Sequence, residues 1–213
     1  EYKFLFWFRK GVIQTMRKKS HLALAYYLMT SEGMETLTTH KKAFYWGSIL
    51  PDCVPSFITT RHCIDDTFLH VRKELMRLVC SYNPTKGITS SFCRRLGVIL
   101  HYVADYFTFP HNSFYPGTIT DHCRYEEELK QTLRSYIKQD GNKRYRLKDP
   151  IAYDVESICS YIREAHQMYT NSCHGIDNDC TYIVQVCHNV VDSILCIIET
   201  DTLLYSPKLE LAK

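Results

Sequence analysis

The chain has 213 residues, 45% of them hydrophobic and 13% aromatic, which is enough to close one hydrophobic core and excludes an intrinsically disordered chain. The formal net charge is only +3, too mild for the basic stripe that duplex nucleic acid demands. Eight glycines with no Gly-x-x-x-x-Gly-Lys exclude a P-loop, and ten cysteines with no Cys-x-x-Cys exclude a zinc ribbon or a thioredoxin-like motif.

Residues 1–17 stand apart as an aromatic and basic segment. Phe4, Leu5, Phe6, Trp7 and Phe8 are followed by Arg9, Lys10 and Arg17, a mixture that seats a segment at a membrane surface or packs on the body of the protein. The segment lacks the apolar core and small-residue cleavage site of a signal peptide. No stretch reaches the roughly twenty apolar residues that span a bilayer. The expectation is therefore a cytoplasmic protein with, at most, peripheral membrane contact.

Residues 18–213 read as one all-α, multi-helix bundle, because apolar residues recur at helical spacing and period-two alternation is weak. A first helix runs from His21 to Met29, and a second from Glu35 to Leu50 ends at Pro51. His62 to Tyr82 forms a third, ended by Asn83-Pro84. Thr89 or Ser90 caps a fourth that reaches about Phe107 before Pro110 breaks it. Asp121 is the expected N-cap of a fifth over Cys123 to Gln139, followed by an Asp140-Gly-Asn turn. Ile151 to Tyr169 and Asn178 to Glu199 complete the set. Cysteines inside apolar runs, such as Cys159 and Cys196, read as reduced core thiols. Cys173 and Cys180 flank a polar loop and are the best placed for a bridge. Asp177 and Asp179, in that loop, read as solvated acids, since their spacing is not that of a calcium loop.

The densest chemistry lies between 101 and 126. His101 and Asp105 are four apart in the fourth helix, His122 and Glu126 are four apart in the fifth, and His111 sits in the connecting loop. Each pair points from one helix face. Five such polar groups in or beside apolar helices would be costly to bury without metal. Zinc suits imidazole and carboxylate donors, and five donors exceed one catalytic zinc. Further donors are expected upstream. Asp52 lies in a proline-flanked loop, His21 opens an apolar helix, and His62, Asp66 and His70 share one helical stripe, with His70 competing with His62. His40, His166 and His188 read as hydrogen-bonded core residues and His174 as an exposed loop residue.

The set His21, Pro51-Asp52, His62, Leu-His-Tyr-x-x-Asp to Asp105, Pro-His at His111 and His-x-x-Tyr-Glu to Glu126 resembles the zinc-dependent phospholipase C family. That family includes bacterial phosphatidylcholine-hydrolysing enzymes and is related in fold to fungal single-strand-specific nucleases. The resemblance covers about residues 18–130. It implies a polynuclear zinc site between helices: a first zinc on His62, His101 and Asp105, with Asp52 as fourth ligand or general base, and a second on His111, His122 and Glu126. A third would sit on His21 and share Asp105. In the secreted relatives an N-terminal tryptophan completes that third site. Here Trp7 lies fourteen residues before His21 and the chain begins at Glu1, so two zinc ions are expected and the third is in question.

The implied activity is cleavage of a phospholipid phosphodiester by a metal-bound hydroxide. A single-strand nuclease or nucleotidase, and a non-catalytic metal-binding domain, are the alternatives. Tyr102, Tyr106, Phe107, Phe109, Phe114 and Tyr115, near the motif, would suit an acyl-glycerol or a cationic head group, or fill the core.

Overall fold

A computed structural model describes residues 18–54, 61–139, 145–147 and 149–210, with side chains up to residue 200. The segment 1–17 with Trp7, and the Asp140-Gly-Asn turn, lie outside the described residues. The fold is all-α. Helix α1 is described over 18–29, followed by α2 (Glu35–Thr38), α3 (Lys41–Ile49), α4 (Ile64–Cys80), α5 (Ser90–Tyr106), α6 (Ile119–Tyr136), α7 (Val155–Thr170) and α8 (Ile176–Glu210). Two short 3-10 turns, Pro51–Cys53 and Phe109–His111, follow α3 and α5.

Several boundaries differ from the expected ones, each for a local reason. The single helix expected over 35–50 breaks at Thr39 and His40. There the Thr38 hydroxyl donates to the Glu35 carbonyl, competing with the helical ladder, and His40 leaves helical geometry to cap α3. Helix α4 begins at Ile64 because Cys63 is extended (φ −100°, ψ 161°), so His62 stands before the helix and off the Asp66/His70 stripe. The N-cap of α6 is Thr118, which exchanges side-chain and backbone hydrogen bonds with Asp121 in a capping box. Asp121 is therefore the third helical residue rather than the cap. Asp154 and Ser157 form the same box at α7. Helix α8 starts before Asp177 and Asp179 and so takes both acids out of the loop.

Helix α5 is the central element. Its Leu96, Ile99, Leu100, Val103 and Tyr106 are fully buried, and α3, α4 and α8 pack around it, with α6 and α7 on α8 and α7 also on α4. The stretch Ile176–Thr200 of α8 has a mean hydropathy of 1.5 and is long and apolar enough to cross a membrane, correcting the expectation that no stretch is. It is 67% buried within the fold, where it supplies Ile183, Val186, Val190, Val191 and Ile194 to the core. All ten cysteines are free. Cys63, Cys93, Cys159, Cys180 and Cys187 are buried as small apolar groups, and the Cys173–Cys180 bridge does not form.

The tightest contact is between α3 and α5. A methyl group on Gly47 would meet the Arg94 carbonyl oxygen at 2.0 Å, and one on Gly97 would meet the Phe44 carbonyl oxygen at 2.4 Å. Glycine at both positions lets the two backbones touch. Gly47→Ala must force them apart, and overpacking of this kind costs about 1–3 kcal/mol or more. The expected outcome is a thermal midpoint lowered by several degrees, measured by circular dichroism, together with weakened metal retention, because the same contact positions His101.

Candidate metal centre

Six separate segments deliver the donors. Helix α1 places His21 on the stripe of Leu24, Ala25 and Leu28, all buried at i, i+3, i+4 and i+7. The turn after α3 buries Asp52, with Pro51 in its first position. His62 is the residue just before the extended Cys63 cap of α4. Helix α5 gives His101 and Asp105 one turn apart, the second 3-10 turn gives His111, and the first two turns of α6 give His122 and Glu126.

Around His101 these segments converge to hydrogen-bonding distance. The Nδ1 of His62 lies 3.0 Å from Asp105 Oδ2, 3.1 Å from His101 Nε2 and 3.8 Å from Asp52 Oδ1. His101 Nε2 lies 3.3 Å from Asp105 Oδ2 and 3.6 Å from Asp52 Oδ1. Ligands held at ~2.0–2.1 Å in a tetrahedron sit about 3.3–3.4 Å apart, so these separations are the edges of a zinc-sized cage. The Nδ1 of His101 is 2.9 Å from the Ser48 carbonyl. Donation to that oxygen leaves Nε2 with its lone pair toward the cage.

A second cluster abuts the first. Glu126 Oε1 lies 2.8 Å from His122 Nε2 and 3.1 Å from His111 Nε2. Asp105 joins the two, with its Oδ1 3.5 Å from His111 Nδ1 and 3.3 Å from His21 Nε2. Three groups of ligand atoms therefore form within metal reach: His21 with His101 and Asp105, Asp52 with His62 and His101, and His111 with His122 and Glu126. A pocket of about 30 Å³ opens beside His21, Asp105, His111 and Glu126, room for a water among the donors.

The electrostatics favour a cation. Burial alone would raise the Asp105 carboxyl, but the imidazoles of His111, His101 and His21 hold it well below the usual carboxylate range. Burial pulls the His101 imidazole down, yet Asp105 and Asp52 outweigh it and hold it above its ordinary value. His21 goes the other way, lowered by burial and by His101, whose ring stacks on it at 3.9 Å. Metal ligation needs neutral imidazoles, and Asp52, Asp105 and Glu126 then carry buried negative charge that a bound cation would offset. Asp52 carries the sharpest test. It is 1% exposed, and neither carboxylate oxygen accepts a hydrogen bond among the described residues. Such a buried acceptor is strongly unfavourable without a cation or proton, and the donor set fits zinc.

All eight residues singled out as candidate donors, His21, Asp52, His62, His101, Asp105, His111, His122 and Glu126, are brought to this centre. His70 is not. It is exposed and meets the edge of Tyr102 at 5.6 Å, while Asp66 pairs with Arg61 at 2.9 Å. Tyr106 and Phe107 are core. Phe109 meets the edge of Tyr115 at 5.0 Å, Tyr115 meets His122 at 6.3 Å, and the exposed His174 stacks on Phe109 and Phe114 at 4.8 and 4.6 Å. His40, His166 and His188 are hydrogen-bonded as expected, to Ser90, Asn112 and the Tyr145 carbonyl, though half-buried rather than core.

The residue that sequence reasoning missed is Asp179. Far from being solvated it is 0% exposed, and its carboxylate accepts from the Phe109 amide and from the Tyr125 and Tyr169 hydroxyls. Burial pushes its pKa up to about 6 against those donors. The signal was present: Asp179 lies inside the helix expected from Asn178 onward, four residues before Ile183 and eight before Cys187 on the buried stripe of α8.

No curated protein and no solved structure matches this chain. A family model described as zinc dependent phospholipase C matches residues 20–176, a span that contains every donor of the centre, and the chain belongs to that family.

Proposed function

We propose that this chain is a zinc-dependent phosphodiester hydrolase that cleaves phospholipids in the manner of a phospholipase C. The observation that carries the reading is the cage of Asp52, His62, His101 and Asp105, with its buried, hydrogen-bond-free Asp52, set against a second triad through Asp105. We assign His62, His101 and Asp105 to one zinc, His111, His122 and Glu126 to another, and His21 with Asp105 to a third. Metals held there polarise phosphate oxygens, lower the pKa of water and neutralise the leaving oxygen.

The chain's own groups supply the rest. Asp52 stands at 3.6 and 3.8 Å from its imidazole neighbours, longer than the 3.0–3.3 Å among the other three donors. That looser seat suits a base that takes the proton of the attacking water. Ser48 holds the His101 ring in one tautomer. Tyr115 links His122 to the stacked rings of Phe109, Phe114 and His174, and Phe114 is 38% exposed, an aromatic group that suits a lipid chain or a cationic head group.

Purified protein is expected to carry at least two zinc ions per chain by elemental analysis. His122→Ala should lose one of them and keep the other, whereas Asp105→Ala should lose both. Less than one equivalent of zinc in protein never exposed to chelator would sink the assignment.

Zinc-loaded protein should release diacylglycerol and a phosphorylated head group from mixed phospholipid vesicles while leaving single-stranded DNA and RNA intact. Asp52→Asn should lower that turnover by ~10²-fold or more with zinc retained, as loss of a general base does. Loss of zinc together with activity would make Asp52 a ligand instead, and nucleotide release with inert lipids would move the chain to the nuclease branch.

A further inference from the structure

The turn that carries His111 is held from behind by a residue outside the segment that the family model matches. Asp179, in the first turn of α8, accepts the backbone N–H of Phe109 at 2.9 Å and the hydroxyl of Tyr125 at 2.8 Å on one oxygen, Oδ2. Its other oxygen, Oδ1, accepts the hydroxyl of Tyr169 at 2.7 Å. Phe109 is two residues before His111, and Tyr125 is the neighbour of Glu126. One carboxylate oxygen thus ties together the two segments that deliver the second triad.

We propose that Asp179 is a positioning residue for the metal site of His111, His122 and Glu126, acting through Phe109 and Tyr125 without touching metal or substrate. The inference rests on the reading that this triad holds a metal. Two features separate a positioning role from plain core polarity. The donors that Asp179 collects come from the 109–111 turn, from α6 and from α7, so one carboxylate is the shared hydrogen-bond acceptor of three elements. The far side of the same turn is pinned independently. Asn112 donates to the Tyr106 and Thr108 carbonyls at 3.3 and 2.9 Å, and its Oδ1 accepts from His166 of α7 at 2.9 Å. His111 is therefore clamped between two buried anchors, one on each flank, which is how outer groups fix the direction of a ligand and raise metal affinity by ~10–100-fold.

The experiment compares the full-length zinc protein with Asp179→Ala, Asp179→Asn, Tyr125→Phe, His122→Ala and the core control Leu78→Ala. Metal content is followed against a graded chelator series, and the visible spectrum is recorded after replacement by cobalt(II). Asp179→Ala should release one metal at a free-metal level at least tenfold higher than wild type does, with a changed cobalt spectrum for that site and the other metal unmoved. Asp179→Asn keeps an acceptor for Phe109 and Tyr125 and can donate to the Tyr169 oxygen, so it should restore most of the affinity. Tyr125→Phe should weaken the same metal severalfold. Leu78→Ala should lower the thermal midpoint and leave both affinities and the spectrum unchanged.

Wild-type affinity and spectrum in Asp179→Ala would overturn the proposal. Should that variant fail to fold, wild-type affinity in Tyr125→Phe would overturn it equally. His122→Ala that keeps its full metal content would instead overturn the assignment of the triad and leave Asp179 as a core residue.

Discussion

Contact between the backbones of α3 and α5 sets the geometry on which the centre depends. Because Gly47 and Gly97 carry no side chains, the end of α3 lies close enough for the Ser48 carbonyl to reach His101 Nδ1, and the chain leaving α3 drops directly into the turn that buries Asp52. Two of the four groups in the first cage are thus placed by a single steric allowance. A larger residue at either glycine would act on the centre without being near it.

The second constraint is charge. Asp105 is 3% exposed and within 3.5 Å of four imidazoles, those of His21, His62, His101 and His111. The rings themselves respond unequally, since His101 is held above and His21 below the ordinary imidazole value. Protons cannot serve every member of such a cluster at once, because each imidazolium raises the cost of the next. Divalent cations resolve the conflict by neutralising the carboxylates while the rings stay neutral, which links the zinc dependence of the family to the way these side chains are buried here.

Much of the centre was legible because metal chemistry leaves its mark in local spacing. The i,i+4 pairs at 101/105 and 122/126 need only a helix to be read, and the helix is announced by its apolar stripe. His62 against His70 could not be separated in that way, since both fit one stripe until Cys63 is found extended and α4 is seen to begin after it. Asp179 was misread because the polar run 171–179 reads as surface loop, although the helix expected from Asn178 onward already contains this fully buried acid. Helix starts are the weakest point of a periodicity argument, and Thr118 in place of Asp121 as the cap of α6 is another instance. The glycine contact between α3 and α5 joins residues 47 and 94, and one sequence holds no local trace of such a meeting.

The dispersal of the donors over six segments between residues 21 and 126 has a consequence for the life of the protein. Only the group of His111, His122 and Glu126 lies in one short stretch, while the other two draw on segments far apart in the chain, so metal bound by the folded centre would find few assembled ligands in the unfolded chain. Binding is then coupled to folding, and stability rises with the free metal concentration as RT ln(1 + [L]/Kd). Without metal, the carboxylate of Asp52, which accepts no hydrogen bond among the described residues, works against the fold that buries it. If the centre holds zinc as its family implies, the supply of the metal during synthesis would govern how much of the chain escapes proteolysis, and metal starvation would act first on its abundance.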